Sequence, residues 1–244
     1  IASVALMRDG VIRLASSQGF ATHSRTVLPM LESLLNEEGI TVADCDAIAF
    51  GCGPGSFTGL RIGAATAKGL GGALSIPLIA VPTLEGLAYN LAGAEALVCP
   101  IMDARRQQTY TGLYDFTDGR MNTILPQCVG VYRVGDMLLE CVTGQKAVSI
   151  EDYITELNDL GDPVTVLGDG VPVFQEKIKQ CEELLYRFCA DSVRYQRASS
   201  VTALGKKYYE QGRQMKAAEF APMYLRLSQA ERERMEKENI TTRS

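Results

Sequence analysis

Residues 46–74 of the chain read DAIAFGCGPGSFTGLRIGAATAKGLGGAL. The run Asp46 to Phe50 is short and apolar and ends at a glycine, which is typical of a buried strand. A glycine-rich loop, Gly51 to Gly59, leads into a helical stretch that ends near Leu74. The apolar run Pro77 to Val81 follows. The order strand, helix, strand is a βαβ unit, so we predict a parallel pair of strands in an α/β protein.

The glycine-rich loop is a candidate phosphate site, because loop N–H groups and the positive end of a helix dipole favour anions. Its candidate ligands are Gly53, Gly55, Ser56 and Thr58. The Walker A pattern is not met, since Gly55 is followed by Ser-Phe, and counting a dinucleotide pattern from Gly51 places Ser56 where the last glycine belongs. The alternative stays open that the glycines permit a tight turn and that Ser56 or Thr58 caps the helix.

Small residues recur every four positions along the helix after the loop, at Gly59, Gly63, Ala67 and Gly71. Glycine inside a helix costs about 1 kcal/mol relative to alanine. Three glycines on one stripe therefore predict that another backbone or helix approaches closely. The sequence leaves open whether that contact is a partner protein or the sheet of the chain itself.

An amphipathic helix is predicted upstream, with Ser24 as its N-cap and Gly39 as its C′ residue. Its apolar residues recur at helical spacing. They are Val27, Leu28, Met30, Leu31, Leu34 and Leu35.

The composition narrows the class of protein. The chain has 244 residues, 46% of them hydrophobic, and a net charge of −5. That charge disfavours general adhesion to nucleic acid, so any contact with RNA is expected to be indirect. No apolar run reaches the length of a membrane-spanning helix, and we expect a cytoplasmic location. The seven cysteines show no C-x-x-C spacing, so they predict neither a zinc site nor a disulfide framework.

The length favours two lobes. A composition change near Ala92 to Ala94 separates an N-terminal lobe, residues 1–93, from a smaller α/β lobe, residues 94–198. Residues 199–228 are predicted to pack back on the body, and residues 229–244 to form a charged tail. The other predicted elements are strands at Ala2 to Met7, Val11 to Ala15, Leu97 to Met102, Thr109 to Tyr114 and Val164 to Leu167, a turn at Asp103 to Gln108, and a helix at Ser200 to Gly212.

Several of these motifs together resemble one bacterial family. They are the loop and helix Gly51 to Leu74, the strand Pro77 to Val81, the helix that begins at His23-Ser24, the segment Met102 to Arg106 and the segment Ala221 to Arg226. In this combination the sequence resembles the TsaB (YeaZ) family of tRNA threonylcarbamoyladenosine biosynthesis proteins over nearly its whole length. The stretch from Gly51 to Gly63 is specific to that family and to its catalytic relative, TsaD.

The resemblance implies a two-lobed actin-like fold of the ATPase, sugar kinase and Hsp70 type. Family members begin with a further strand and an Asp-x-Ser/Thr turn, and compared with them this sequence starts about a dozen residues late, so we expect that strand to be missing. The implied function is a non-catalytic subunit that binds and activates TsaD in modifying the adenosine beside the anticodon. The implied partners are TsaD, a TsaE ATPase in a larger complex and a second copy of the chain.

The resemblance also distinguishes an accessory subunit from the catalytic relative, TsaD. In TsaD the strand that matches Pro77 to Val81 leads into His-x-x-x-His, and two imidazoles spaced i and i+4 can share a metal. The matching residues here are Thr83 and Leu87, and His23 is the only histidine. We therefore predict no metal site, no catalytic residues and no required cofactor, with weak or shared binding of ATP or ADP left open.

Two functions remain after this reasoning. The preferred one is the TsaD-binding subunit, which contacts its partner through two helices. The alternative is an ATP-using phosphotransferase or ligase of the same fold, with the glycine loop near the phosphates and Asp169-Gly170 near the base or ribose. The predicted partner interface comprises His23, Val27, Met30, Leu31, Leu34, Gly59, Gly63, Ala67 and Gly71.

Overall fold

In the part of the chain that it describes, the computed structural model shows two small β-sheets and one large one, with helices packed against them. It describes residues 2–17, 23–105, 108–116, 120–132, 137–140, 148–149, 163–180 and 185–220. The predicted charged tail and the segment Ala221 to Arg226 lie outside the described residues.

The first sheet is an antiparallel hairpin of β1 (Ala2–Arg8) and β2 (Val11–Ser17). Asp9 and Gly10 form its turn with positive φ angles of 51° and 79°. A two-residue Asp-Gly turn of this kind matches the natural twist of paired strands, and the sequence predicted it correctly.

The amphipathic helix is α1 (His23–Glu37). Ile40 donates its N–H to the Leu35 carbonyl (3.1 Å), and Gly39 has a φ of 68°. This left-handed ending confirms the prediction for Gly39. The prediction for Ser24 as the N-cap is wrong, because the helix already begins at His23 and the backbone of Ser24 is helical.

The predicted βαβ unit is confirmed. It consists of β3 (Ile48–Gly51), α2 (Phe57–Leu74) and β4 (Leu78–Val81), and β3 and β4 pair in parallel. Helix α3 (Thr83–Ala88) follows β4 directly. The glycine-rich loop therefore connects the carboxyl end of β3 to the amino end of α2.

Among the described residues, the large sheet has seven strands. The strand Val164–Leu167 pairs in parallel with the strands Val98–Arg105 and Tyr186–Phe188, and the remaining pairs are antiparallel. The turn predicted at Asp103 to Gln108 is shorter than expected, since one strand continues to Arg105 and the next begins at Gln108, with a register shift between Asp103 and Arg105. In chain order the elements are β5 (Val98–Arg105), β6 (Gln108–Asp115), β7 (Asn122–Tyr132), β8 (Met137–Glu140), β9 (Val148–Ser149), β10 (Val164–Leu167), α4 (Val171–Lys179) and β11 (Tyr186–Phe188), and their order in the sheet is β11-β10-β5-β6-β7-β8-β9.

The predicted C-terminal helix is α5 (Ala198–Glu210). It packs on the side of β3 and β4 opposite to α2, since Leu78 joins a cluster with α2 whereas its neighbour Ile79 joins a cluster with α5. A Cβ on Gly205 would lie 2.5 Å from the Ala49 Cβ, so glycine allows this close approach. The predicted lobe boundaries stay predictions. Within the described ranges, no helix has the length and apolar character needed to cross a bilayer.

Candidate functional site

The glycine-rich loop is bonded to the fold through groups that a phosphate would otherwise use. The N–H of Gly53 donates to Thr83 Oγ1 (3.2 Å), and the Gly53 carbonyl accepts from the N–H of Thr83 (2.8 Å). The N–H of Cys52 donates to the Val81 carbonyl (2.9 Å). Gly53 is therefore not available as a phosphate ligand, and that part of the prediction is wrong because its donor is committed to Thr83.

Ser56 caps helix α2. Its hydroxyl accepts from the N–H of Gly59 (3.4 Å), and its carbonyl accepts from the N–H of Leu60 (2.8 Å). The open alternative, a turn followed by a capping serine, is confirmed for Ser56. Phosphate binding by Gly55, Ser56 and Thr58 stays a prediction.

The positions that match the histidine pair have structural roles. Leu87 is buried among apolar side chains of α3 and the large sheet, and the Thr83 hydroxyl is bonded to the loop. Leucine has no metal-binding atom, and the Thr83 hydroxyl already accepts from the N–H of Gly53. The side chain of His23 lies outside the described part of the structure. Across the described ranges, no three His, Cys, Asp or Glu side chains are grouped as a metal site would require.

A polar cluster behind the loop was missed by the sequence reasoning. The Tyr208 hydroxyl of α5 donates to Glu85 Oε2 of α3, and the Arg213 guanidinium lies 3.5 Å from the centre of the Tyr208 ring. Burial raises the pKa of Glu85, while the Tyr208 hydrogen bond opposes that shift. Burial also raises the pKa of Tyr208 and brings that of the Cys52 thiol to about 11, so the thiol is protonated at neutral pH. The cluster ties α3 to α5.

One sequence signal could have found this cluster. Glu85 is an isolated acid in the otherwise apolar run Leu84 to Ala88. A charged residue within a buried helix needs a partner. The identity of that partner, more than a hundred residues away, is set by the tertiary fold.

The predicted small-residue stripe of α2 lies on the inner side of the helix. Ala67 and Gly71 are buried, and a Cβ on Gly71 would lie 2.7 Å from Leu78 Cδ2 and 2.9 Å from the Ile76 carbonyl oxygen. A partner cannot reach these two residues, so their assignment to a partner interface is wrong. Gly59 and Gly63 line a cavity that residues of α1 also line. Ala67 and Gly71 therefore contact the sheet of the chain itself, and the assignment of Gly59 and Gly63 to a partner interface stays a prediction.

The predicted interface residues of α1 are also mostly turned inward. Leu34 is buried, and Val27 and Leu31 line the same cavity as Gly63. Met30 is half-buried. Leu28, which is 48% exposed, is the large apolar residue that α1 leaves open to solvent within its described side chains.

A different set of residues forms the exposed side of these helices, which pack side by side. The Arg61 guanidinium lies 3.9 Å from the centre of the exposed Phe57 ring, and Ala65 and Gly69 continue this side of α2. We call this surface the outer face. It is formed by Phe57, Arg61, Ala65 and Gly69 of α2, and we group with it Leu28, the exposed apolar residue of α1.

The turn after β10 requires glycine at position 168. A Cβ on Gly168, whose φ is 115°, would lie 1.9 Å from the Ile101 carbonyl oxygen. Asp169 Oδ1 accepts from the N–H of Asp103 (3.3 Å). Asp169 therefore ties the end of β5 to this turn, and a contact with a nucleotide stays a prediction.

A family model supports the interpretation of the motifs. The model described as "TsaD: tRNA N6-adenosine threonylcarbamoyltransferase" matches residues 17–234. The chain is also 31% identical to a tRNA N6-adenosine threonylcarbamoyltransferase from Erythrobacter litoralis, over 62% of this chain and 37% of that protein.

Other relatives match over a larger share of their length. The tRNA threonylcarbamoyladenosine biosynthesis protein TsaB of Bacillus subtilis is 34% identical over 235 residues, which cover 93% of this chain and 90% of that protein. TsaB of Escherichia coli is 37% identical over 46% of this chain and 49% of its own length. The solved structure of YeaZ from Pseudomonas aeruginosa superimposes with a TM-score of 0.69 and 27% identity, over 91% of this chain and 93% of that one.

Proposed function

The chain belongs to the TsaB (YeaZ) family of tRNA threonylcarbamoyladenosine biosynthesis proteins and has the actin-like fold of the TsaD family. We propose that it is a non-catalytic subunit that binds and activates a TsaD-type transferase. In this role the chain supplies a surface, and the transferase supplies the chemistry.

The observation that carries the proposal is the structural role of Thr83 and Leu87. These residues stand where the catalytic relative is expected to have its histidine pair. Leu87 is only 1% exposed within an apolar cluster, and Thr83 closes the glycine loop through two hydrogen bonds with Gly53. Side chains used in this way support packing and leave no ligand for a metal.

The outer face is the proposed docking surface. Ala65 and Gly69 are small, so a partner helix can approach the backbone of α2 closely. Phe57 and Leu28 provide exposed apolar area, and Arg61 is held against the Phe57 ring. Aromatic and arginine side chains beside small residues are typical of the energetically important centre of an interface. The proposed occupant is a helical surface of the transferase.

Further members of the assembly are part of the same proposal. A TsaE-type ATPase joins the complex, a second copy of the chain uses the outer face when the transferase is absent, and tRNA is contacted only indirectly. The chain itself needs no cofactor, and any ATP or ADP is bound weakly or shared with a partner. Gly53 supports this, since its N–H is already bonded.

The function is tested by reconstitution. The chain is omitted from a mixture of its proposed partners, tRNA, threonine, bicarbonate and ATP, and modified adenosine is measured. We expect the modification to be lost and to return when the chain is added back. Calorimetry of the chain alone with ATP and Mg²⁺ tests the alternative, since tight binding with turnover would favour a phosphotransferase.

The docking surface is tested separately with Ala65→Trp. A large ring at this exposed position should block close helix approach and weaken copurification with the transferase on the order of tenfold or more. Val173→Trp, on the exposed side of α4 in the large-sheet region, is the matched control and should leave binding unchanged. Unchanged binding in Ala65→Trp would remove the outer face from the proposal while leaving the reconstitution result intact.

A further inference from the structure

The outer face carries one charged side chain, Arg61, which is exposed. Its guanidinium lies 3.9 Å from the centre of the exposed Phe57 ring. A stack of this kind engages the flat face of a guanidinium, whereas the N–H donors lie in the plane of the group. The ring therefore restricts a long side chain that would otherwise sample many conformations, which lowers the entropy lost when the guanidinium binds a partner.

Helix α2 differs in charge from the chain as a whole. The whole sequence has 29 acidic and 24 basic residues, yet the 18 residues of α2 include two basic residues and no acidic one. One of the two, Lys68, donates to the Phe220 carbonyl (3.0 Å) and is partly buried. Arg61 is therefore the charge that α2 presents on the outer face. A cation on a helix surface without acids is complemented by a carboxylate of the partner.

A carboxylate also fits Arg61 in its geometry. A planar guanidinium can donate two parallel hydrogen bonds to the two oxygens of one carboxylate. Ala65 lies one turn after Arg61 and is small and exposed, so a partner helix can approach closely enough for an Asp or Glu side chain to reach the guanidinium. Charge pairs across an interface contribute chiefly to the choice of partner and to the rate of association.

A second copy of the chain is a poorer complement to this surface. A two-fold contact places the same patch of both copies against itself. It therefore brings together two α2 helices that each carry Arg61 and no carboxylate. Like charges at an interface oppose association. Among the described side chains of α1 and α2, the carboxylates are those of Glu32 and Glu37 in α1. Unless one of these is set against Arg61, the contact between two copies is weakened by repulsion.

On the basis of the proposed function, we propose that Arg61 determines which partner the outer face accepts. It binds a carboxylate on a helix of the transferase, and it disfavours a second copy of this chain. Phe57 orients the guanidinium, and the small residues Ala65 and Gly69 leave room for the partner helix. The small residues alone would accept either partner, so the selectivity comes from the charge.

Arg61→Gln tests the proposal, because it removes the charge and keeps a polar side chain at an exposed position. Affinity for the transferase is measured by calorimetry, and self-association of the chain by sedimentation velocity. We expect the affinity for the transferase to fall on the order of tenfold or more and self-association to rise several-fold. Arg187→Gln makes the same chemical change at an exposed residue of the large sheet, so it is the matched control and should alter neither quantity. Unchanged affinity for the transferase, or self-association that does not rise, would overturn the proposal.

The salt dependence of binding identifies the group that Arg61 contacts. Dissolved ions screen a pair of opposite charges. The affinity of the unsubstituted chain for the transferase should therefore fall more steeply with salt concentration than the affinity of Arg61→Gln. Equal salt dependence in the two proteins would mean that Arg61 does not bind a carboxylate, and would overturn the proposal.

Failure of the proposed function gives a different result from failure of the role of Arg61. If the unsubstituted chain did not bind the transferase, the proposed function itself would be wrong. If the unsubstituted chain and Arg61→Gln bound the transferase equally, only the role of Arg61 would be wrong. Weaker self-association in Arg61→Gln would mean that a second copy sets a carboxylate such as that of Glu32 against Arg61, and this result would also overturn the proposal.

Discussion

The two sides of helix α2 place small residues in different surroundings. On the inner side Ala67 and Gly71 are buried against the chain's own sheet, and a Cβ on Gly71 would meet Leu78 and the Ile76 carbonyl. On the outer side Ala65 and Gly69 are exposed, and a Cβ on Gly69 would meet nothing within 4 Å. The spacing of small residues in a helix therefore does not by itself show whether they are packed against the chain or open to solvent.

The largest expected effect is on the inner side. Gly71→Leu forces a side chain into space already occupied by Leu78 Cδ2 and the Ile76 carbonyl oxygen. Overpacking of this kind costs about 3 kcal/mol in the free energy of unfolding. The loss is measured by urea denaturation, with the midpoint shifted to lower urea and the slope unchanged.

Gly69→Leu is the matched control, because it makes the same chemical change two residues earlier on the same helix. The new side chain points into open space and removes a helix glycine, so stability should rise by up to about 1 kcal/mol. If both variants lost similar stability, the distinction between the two sides of α2 would be wrong.

A smaller loss in the free energy of unfolding is expected at the glycine loop, where Thr83 is bonded to Gly53. Thr83→Val keeps the shape of the side chain but removes the oxygen that accepts from the N–H of Gly53. The cost of a buried N–H without a partner is about 2 kcal/mol. Thr58→Val makes the same change on the exposed first turn of α2, where surface substitutions stay within about 0.5 kcal/mol. Similar losses in both variants would show that the hydrogen bond to Gly53 contributes little.

Local signals in the sequence predicted much of the fold. The Asp9-Gly10 hairpin turn, the left-handed Gly39 and the βαβ unit were all correct, because each depends on residues a few positions apart. The conformational needs of a turn or a helix end restrict which residues can occupy it.

The candidate site was harder to predict, for physical reasons that particular residues show. Small residues occur on both sides of α2, so spacing alone could not tell Gly71 from Gly69. The N–H of Gly53 is bonded to a threonine thirty positions later, and Glu85 is bonded to Tyr208 across more than a hundred residues. Contacts of this range are set by how the elements pack, and no local pattern encodes them.

The smallest expected effect is on the pH dependence of the free energy of unfolding, through the buried carboxyl of Glu85. Burial raises the pKa of Glu85 above its usual 4.5, so the folded protein holds this proton more tightly than the unfolded chain does. The stability that this group contributes is therefore fully present below pH 4.5 and is lost as the pH rises through the raised, folded-state pKa. Glu85→Gln does not titrate and keeps an oxygen that accepts from the Tyr208 hydroxyl.

The free energies of unfolding of Glu85→Gln and of the unsubstituted chain are compared by urea denaturation over a series of pH values. Their difference should move in favour of the variant from about pH 4.5 upward and then level off, since the carboxylate of the unsubstituted chain must be buried with its charge. Tyr208→Phe removes the hydrogen bond that lowers the Glu85 pKa, so in that background the change should extend to higher pH. A difference that stays constant with pH would mean that the pKa of Glu85 is not raised. The surroundings of Glu85 would then be more solvated than the packing of α3 against α5 indicates.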